Sequence, residues 1–485
     1  MTRRIACPPA PGPLEEYAAC FDDLFTHAAQ RRSFRDYLAG LLLPRDRNKT
    51  LTALAGAEPI VEAQEAPVQR LQSFLSESVW EAEAINARRL ALIWADGAIR
   101  PHESGVLVID ETGDRKDGTK TAHVAPQYLG SVGKIANGIV AVTSLWADER
   151  VHYPLHVVPY TPAARLPLGK KDPVLRTKPH LAVDLVSRAR DLGVSFRAVV
   201  ADCLYGESAA FEGTLWDAGL PYVLAVRPSH GTWGPEDAAH TPEDAAREVP
   251  WTSAQEPGGW TAVERHFRDG HTETWWAADL ELAGYGPGSY TRLIVATTDP
   301  ATLPAASTWY VVTNLPHPKI APAAESALAP ADLTEIVRLY GLRQWVEQGY
   351  RQVKGALGWA DFQVRSDRAI RRHWQLVCCA FSFCWWAYLR RKETVSEESV
   401  SLDNMVGAGL AEEPVPVGEK RGDRGRGHRS RPRTHRGTGG AGPAAAVVAR
   451  GAAAGPGLAG PLDHAVALVA RLVERAPATG CTSAA

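Results

Sequence analysis

Apolar residues recur at helical spacing through the first hundred positions of the chain. Phe21, Leu24, Phe25 and Ala28 form one such set, and Tyr37, Leu38, Leu41 and Leu42 another. Polar breaks near Pro44–Asn48 and Gly56–Pro59 separate them, so residues 14–100 are predicted to be helical. The period changes at residue 105. Val106-Leu107-Val108-Ile109-Asp110 is a continuous apolar run ending in a carboxylate, the pattern of a buried strand. Two further strands are predicted over Gly138–Trp146 and Val151–Tyr160, then a helix over Lys178–Leu192. Ala198-Val199-Val200-Ala201-Asp202 repeats the buried-strand-then-Asp pattern, followed by a helix over Glu207–Ala218 and a strand over Pro221–Arg227. Strands first, then alternating helix and strand, predict a mixed sheet with helices packed on it.

Residues 247–317 alternate Trp, Thr, Val and Tyr between Gly/Pro turns, which predicts an inserted β-rich region. A helix is predicted over Leu333–Lys354 and another over Ala369–Arg391. Trp374–Leu389 within the last is apolar for 16 residues. A membrane span needs ~20, so a buried core helix is expected and no membrane partner. The order predicts a helical N-terminal region (1–100), a core in two parts (101–230 and 321–395), the insertion (231–320) and a tail (396–485).

The tail stands apart in composition. Of the 42 residues from Lys420 to Pro461, 32 are Gly, Ala, Arg or Pro, too little apolar surface to offset chain entropy, so disorder is expected. Such a stretch is also what a GC-rich gene yields when translated out of frame after about residue 415. Charge follows the same division. The chain has 53 Lys+Arg and 55 Asp+Glu, a net of −2, but residues 419–485 hold 11 basic and 4 acidic groups. Residues 1–418 are therefore at 42 − 51 = −9, while 338–372 carry 8 basic and 3 acidic residues. The near-neutral total says little about partners. Seven cysteines without a CxxC pair imply reduced thiols and a cytoplasmic protein, with no thiolate zinc site.

Two strand-terminal aspartates on neighbouring strands would bring Asp110 and Asp202 together, and like charges that close need a cation between them. Oxygen-only ligands favour Mg²⁺ or Mn²⁺, and two such ions suit phosphodiester displacement. A third carboxylate is available in Tyr340, Arg343, Glu347 and Lys354, spaced Y-x2-R-x3-E-x6-K, which on one continuous helix would share a face.

Asp110 in Val-Ile-Asp-Glu-Thr-Gly, Asp202 in Val-Ala-Asp-Cys-Leu-Tyr-Gly, and Glu347 in the tyrosine–arginine–glutamate–lysine helix together resemble the DDE transposases of bacterial insertion sequences. The resemblance covers roughly residues 20–395. It implies an α/β fold: an RNase H-like mixed-sheet core with a β-rich insertion, preceded by the helical region, which would bind DNA ends. It further implies that Asp110, Asp202 and Glu347 hold two metal ions, and that Tyr340, Arg343 and Lys354 contact phosphates. Trp309 would stack on a flipped base, and Arg227 would approach the DNA end.

The implied activity is cutting at terminal inverted repeats and joining to target DNA, by a homodimer on DNA. Alternatives are an inactive DNA-binding remnant or a nuclease without strand transfer. Glu111 and Asp114 are additional carboxylates that could replace a ligand. The Gly130-x2-Gly133-Lys134 turn could cradle a phosphate. Arg31, Arg32, Arg35, Arg45, Arg47 and Lys49 read either as a solvated helix face or as phosphate contacts.

Overall fold

In the computed structural model, residues 9–10, 12–231, 241–267, 270–283, 290–319 and 327–407 are described. Five N-terminal helices come first: α1 (Pro13–Ala19), α2 (Ala28–Leu42), α3 (Leu51–Leu54), α4 (Ala66–Ser76) and α5 (Ala82–Trp94). The sheet begins with β1 (Val106–Arg115), β2 (Ala125–Leu129), β3 (Lys134–Ala147) and β4 (His152–Tyr160). Next come α6 (Lys178–Asp191), β5 (Ala198–Ala201), α7 (Cys203–Gly206), α8 (Ala209–Asp217) and β6 (Tyr222–Ala225). Then follow α9 (Pro242–Glu248), β7 (Thr261–His266), β8 (Thr272–Ala283), β9 (Tyr290–Thr297) and β10 (Thr308–Thr313). The chain continues with α10 (Leu333–Gly341), α11 (Gln344–Gly355) and α12 (Asp367–Gly407).

β1 is the centre of the arrangement. It pairs antiparallel with β3 and parallel with β5, and β5 pairs parallel with β6. With β4 on the far side of β3, the order β4-β3-β1-β5-β6 is the RNase H-like mixed sheet that the alternation of strands and helices predicted. The predicted insertion does not stand apart from it. β10 pairs antiparallel with β6 and with β9, and β8 and β7 continue outward, so a single ten-stranded sheet runs from β2 to β7. The strands form because β-branched residues fill a buried face: Val106, Val108, Val200, Val223, Ile294 and Val311 share one buried cluster with Ile336, Leu339 and Val346 of α10 and α11.

Two expectations change. The helix predicted over Leu333–Lys354 is broken: Leu342 caps α10, and Arg343 is the N-cap of α11. Gly341, a weak helix former, ends the first piece, while Leu342 and Arg343 keep right-handed helical dihedrals across the joint. Most of the basic residues of the N-terminal helices also differ from both readings made of them, although Arg32 stays on an exposed helix face beside Asp36. Arg31 and Arg35 are buried, and Arg35 forms bidentate bonds with Glu15 and Asp22 at 2.7 Å each. Lys49 is buried against the carbonyls that end α2, and Arg45 binds Asp361 and the carbonyl of Lys354. These cations hold the fold together.

Trp374–Leu389 lies in α12 and is almost entirely buried, as predicted; among the described residues no helix is long and apolar enough to cross a membrane. Tyr17 and Tyr37 reach across to Cys379 and His373 of α12. Arg89 of α5 is fully buried and bonds the carbonyls of Pro154 and Leu155 on β4 and Ser382 of α12. The N-terminal helices and the sheet thus belong to one compact unit. Cys20, Cys203, Cys378, Cys379 and Cys384 are free thiols. The Gly/Ala/Arg-rich tail expected to be disordered lies outside the described residues.

Candidate active site

Parallel pairing of β1 with β5 sets Ile109 beside Ala201, so the next residue of each strand, Asp110 and Asp202, emerges at the same level of the sheet. Asp202 then caps the short α7, its Oδ1 accepting from the Leu204 amide at 3.0 Å. The glycine of Asp202-Cys-Leu-Tyr-Gly206 has a steric origin. A Cβ on Gly206 would lie 2.0 Å from the carbonyl oxygen of Ala225, so only glycine lets α7 pack on β6 and aim Asp202 inward.

Glu347 comes from the opposite side, on the first turn of α11. The three carboxylates meet at one cation. Arg343 Nη2 lies 3.3 Å from Asp110 Oδ2 and 3.7 Å from Asp202 Oδ2, and its Nη1 donates to Glu347 Oε1 at 3.2 Å. The predicted trio is therefore brought together, with the signature arginine in its midst. Burial pushes the Asp110 carboxyl up to about 7; Arg343 opposes this and the Asp202 charge adds to it. Asp202 is raised for the same leading reason, burial. Burial works against the Arg343 charge, but Asp110, Tyr340 and Asp202 outweigh it and hold the guanidinium above its usual range.

Lys354, in the last turn of α11, bonds Asp114 Oδ1 at 2.6 Å and the Gly113 carbonyl at 3.0 Å. Asp114 is thereby taken up as a lysine partner. Glu111 alternates to the other face of β1, where Lys178 Nζ and the Tyr205 hydroxyl each bond it at 2.7 Å. Both additional carboxylates are thus engaged by partners other than Arg343. The Gly130–Gly133 turn closes on itself: the Val132 and Gly133 amides both donate to Leu129 O, so these two amides are not free to cradle a phosphate.

Tyr340 is packed at the edge of this centre, its ring 4.9 Å from that of Trp309. Trp309 also meets Trp275 at 4.5 Å, and the guanidinium of Arg265 lies 4.3 Å from its ring. Arg265 was not singled out from the sequence; its spacing on a strand gives no hint that three aromatic rings, including Phe267, converge on it. Arg227 is exposed and forms an ion pair with Glu207.

The sequence that builds this site has known relatives. Residues 20–278 match the description "DDE superfamily endonuclease". The "Probable transposase for insertion sequence element IS701" of Microchaete diplosiphon is 34% identical over 352 residues, covering 72% of this chain and 81% of that protein. The chain belongs to the DDE superfamily of insertion-sequence transposases. The family match contains Asp110 and Asp202 but ends before Glu347, whose place in this transposase rests on the convergence at Arg343.

Divalent metal use is general in the superfamily. As the side chains stand, no group of three or more His, Cys, Asp or Glu residues among those described is arranged to hold an ion, and Arg343 lies among the three carboxylates. The donor set nevertheless fits a hard cation. It is all oxygen and is already organised around the positive charge of Arg343.

Proposed function

We propose that this transposase cuts DNA at the terminal inverted repeats of its element and joins the freed ends to target DNA at the Asp110–Asp202–Glu347 centre. The observation that carries the reading is the convergence of three carboxylates, from two adjacent parallel strands and a helix, on one cation. Asp110, Asp202 and Glu347 would hold two Mg²⁺ or Mn²⁺ ions. Bound divalent ions supply an activated water and neutralise charge at the leaving oxygen.

The remaining roles belong to the chain's own residues. When its carboxylates are engaged elsewhere, Arg343 is free to meet a phosphate with its planar fork. Lys354, anchored to Asp114, supplies a second positive charge three and four residues along β1 from Asp110. Tyr340 and Trp309 form an aromatic edge beside them on which a base can stack, a contact worth ~1–3 kcal/mol. Arg227 adds an exposed cation after β6, and the N-terminal helices would meet the ends through their exposed groups, Arg32 among them. Both strands of chemistry need two ends, so the working form is a homodimer on DNA.

The test is a supercoiled donor plasmid carrying the element's ends, incubated with Mg²⁺ and resolved on a gel. Wild type is expected to release and join the element. Asp110→Asn, Asp202→Asn and Glu347→Gln should each lower cutting on the order of 10³-fold, ~4 kcal/mol of barrier. Cutting that survives in Asp110→Asn sinks the three-carboxylate assignment. Cutting without any joined product makes the protein a nuclease.

A further inference from the structure

The segment between β1 and β3 is longer than a turn requires. It contains β2 and forms a hairpin arm, residues 115–138, at one end of the sheet. The arm is seated directly on the active-site strand. Leu129 is buried over Gly113 and Gly138, where added Cβ atoms would lie 2.8 and 2.7 Å from its methyl groups. Ser131 Oγ donates to the Gly113 carbonyl at 2.8 Å, the same oxygen that accepts from Lys354. One face of the arm is therefore fixed to the catalytic edge.

Its other face is unlike ordinary surface. Tyr128 and Ile135 are direct cross-strand partners, 60% and 71% exposed, with Val132 at the tip 40% exposed. Around them the charge is one-sided: residues 115–138 hold four basic groups and one acidic group, in a body of net −9. Lys120 and Lys134 are exposed and take part in no ion pair among the described residues. Exposed Arg165 donates to the carbonyls of Thr119 and Thr121 at the base of the arm, and Arg365 lines an adjoining cleft of about 380 Å³.

We propose that this arm is a second DNA-binding element, which grips duplex DNA beside the bond being cut. Lys120, Lys134 and Arg365 contact phosphates, and Tyr128 and Ile135 lie against sugars or bases. The inference rests on the DNA reading above. Two arguments select nucleic acid as the occupant: the arm shares the Gly113 carbonyl with Lys354 and so continues the active site outward, and its unneutralised cations suit a polyanion. An aromatic and an aliphatic side chain on a basic hairpin suit the apolar contacts that nucleic-acid binders place against bases.

The experiment compares the full-length wild type with Lys120→Ala/Lys134→Ala/Arg365→Ala and with Tyr128→Ala/Ile135→Ala. The probe is a fluorescent duplex of the element's end, carrying either 4 or 20 base pairs of flanking DNA. The triple variant should bind the long-flank duplex on the order of tenfold more weakly than wild type, with a salt slope shallower by about 2.7 for three lost phosphate contacts. The aromatic–aliphatic variant should lose the emission change of 2-aminopurine placed next to the cut site. Wild-type affinity and slope in the triple variant would overturn the proposal. So would a Tyr128→Ala/Ile135→Ala protein that changes sedimentation but not DNA binding, since the face would then join two copies of the chain. Failure of wild type to bind either duplex instead removes the DNA reading itself. All five positions are exposed or half-exposed, and matching thermal melts will show that folding is retained.

Discussion

Arg343 Nη2 stands 3.3 Å from Asp110 Oδ2, so the signature arginine of α11 neutralises the central carboxylate of β1 directly. A guanidinium in that position and a divalent cation bound by the same oxygens exclude each other by charge and by space. Arg343→Ala should therefore bind Mn²⁺ more tightly than wild type, by about tenfold or ~1.4 kcal/mol, while binding DNA ends more weakly. Isothermal titration with the ion alone, then with DNA alone, separates the two effects. Equal or weaker Mn²⁺ affinity in the variant would mean the arginine supports the carboxylates and does not compete for them.

The Asp110 carboxyl titrates near about 7 in the fold, chiefly because it is buried, against ~3.9 in an unfolded chain. The folded protein holds that proton more tightly than the unfolded one. Its contribution to stability is full below about pH 4 and is lost as pH rises through about 7. Asp110→Asn keeps the shape and cannot ionise, so without metal it should be more stable than wild type at pH 8, by ~1–4 kcal/mol. The gap should shrink steadily toward pH 5 in urea melts. Metal binding has the opposite sign: it needs the carboxylate, so affinity should fall as pH drops below 7.

Gly206→Ala tests the geometry behind Asp202. The added methyl would sit 2.0 Å from a backbone oxygen of β6, which no rotamer change relieves. A loss of ~3 kcal/mol or more is expected, read by chemical denaturation. Unchanged stability would show that α7 is free to shift.

Arg89→Met should destabilise strongly without touching DNA. Its guanidinium is fully buried and satisfies the Pro154 and Leu155 carbonyls, Asn86 and Ser382. Removing it strands those acceptors, a cost of ~3–5 kcal/mol, visible as a lowered melting temperature. A variant that keeps its melting temperature and loses end binding would place Arg89 in recognition instead.

The carboxylates were legible in the sequence because each ends or opens an element with a strong local pattern: two apolar runs stopping at Asp110 and Asp202, and a spaced quartet around Glu347. The break at Leu342 was hidden for the opposite reason. Tyr340 to Lys354 keeps helical spacing across the joint, and the one local cue, Gly341, is too weak to predict a stop. Arg31 and Arg35 looked like a basic surface because the partners that bury Arg35, Glu15 and Asp22, lie 20 and 13 residues away. β2 escaped notice because Ala-Pro-Gln-Tyr-Leu is five residues long and contains a proline, which disfavours a strand interior. Local pattern is readable; distant charge pairing is not.

The pairing of β10 with β6 has an engineering corollary. Because the inserted strands borrow the edge of the core sheet, they are not an exchangeable cassette. Excising residues between β6 and α10 would strip β6 of one of its two hydrogen-bonded neighbours and leave a raw edge ready to pair with another molecule. Chimaeras between related transposases should therefore exchange β6 through β10 as one block, or expect aggregation before any question of activity arises.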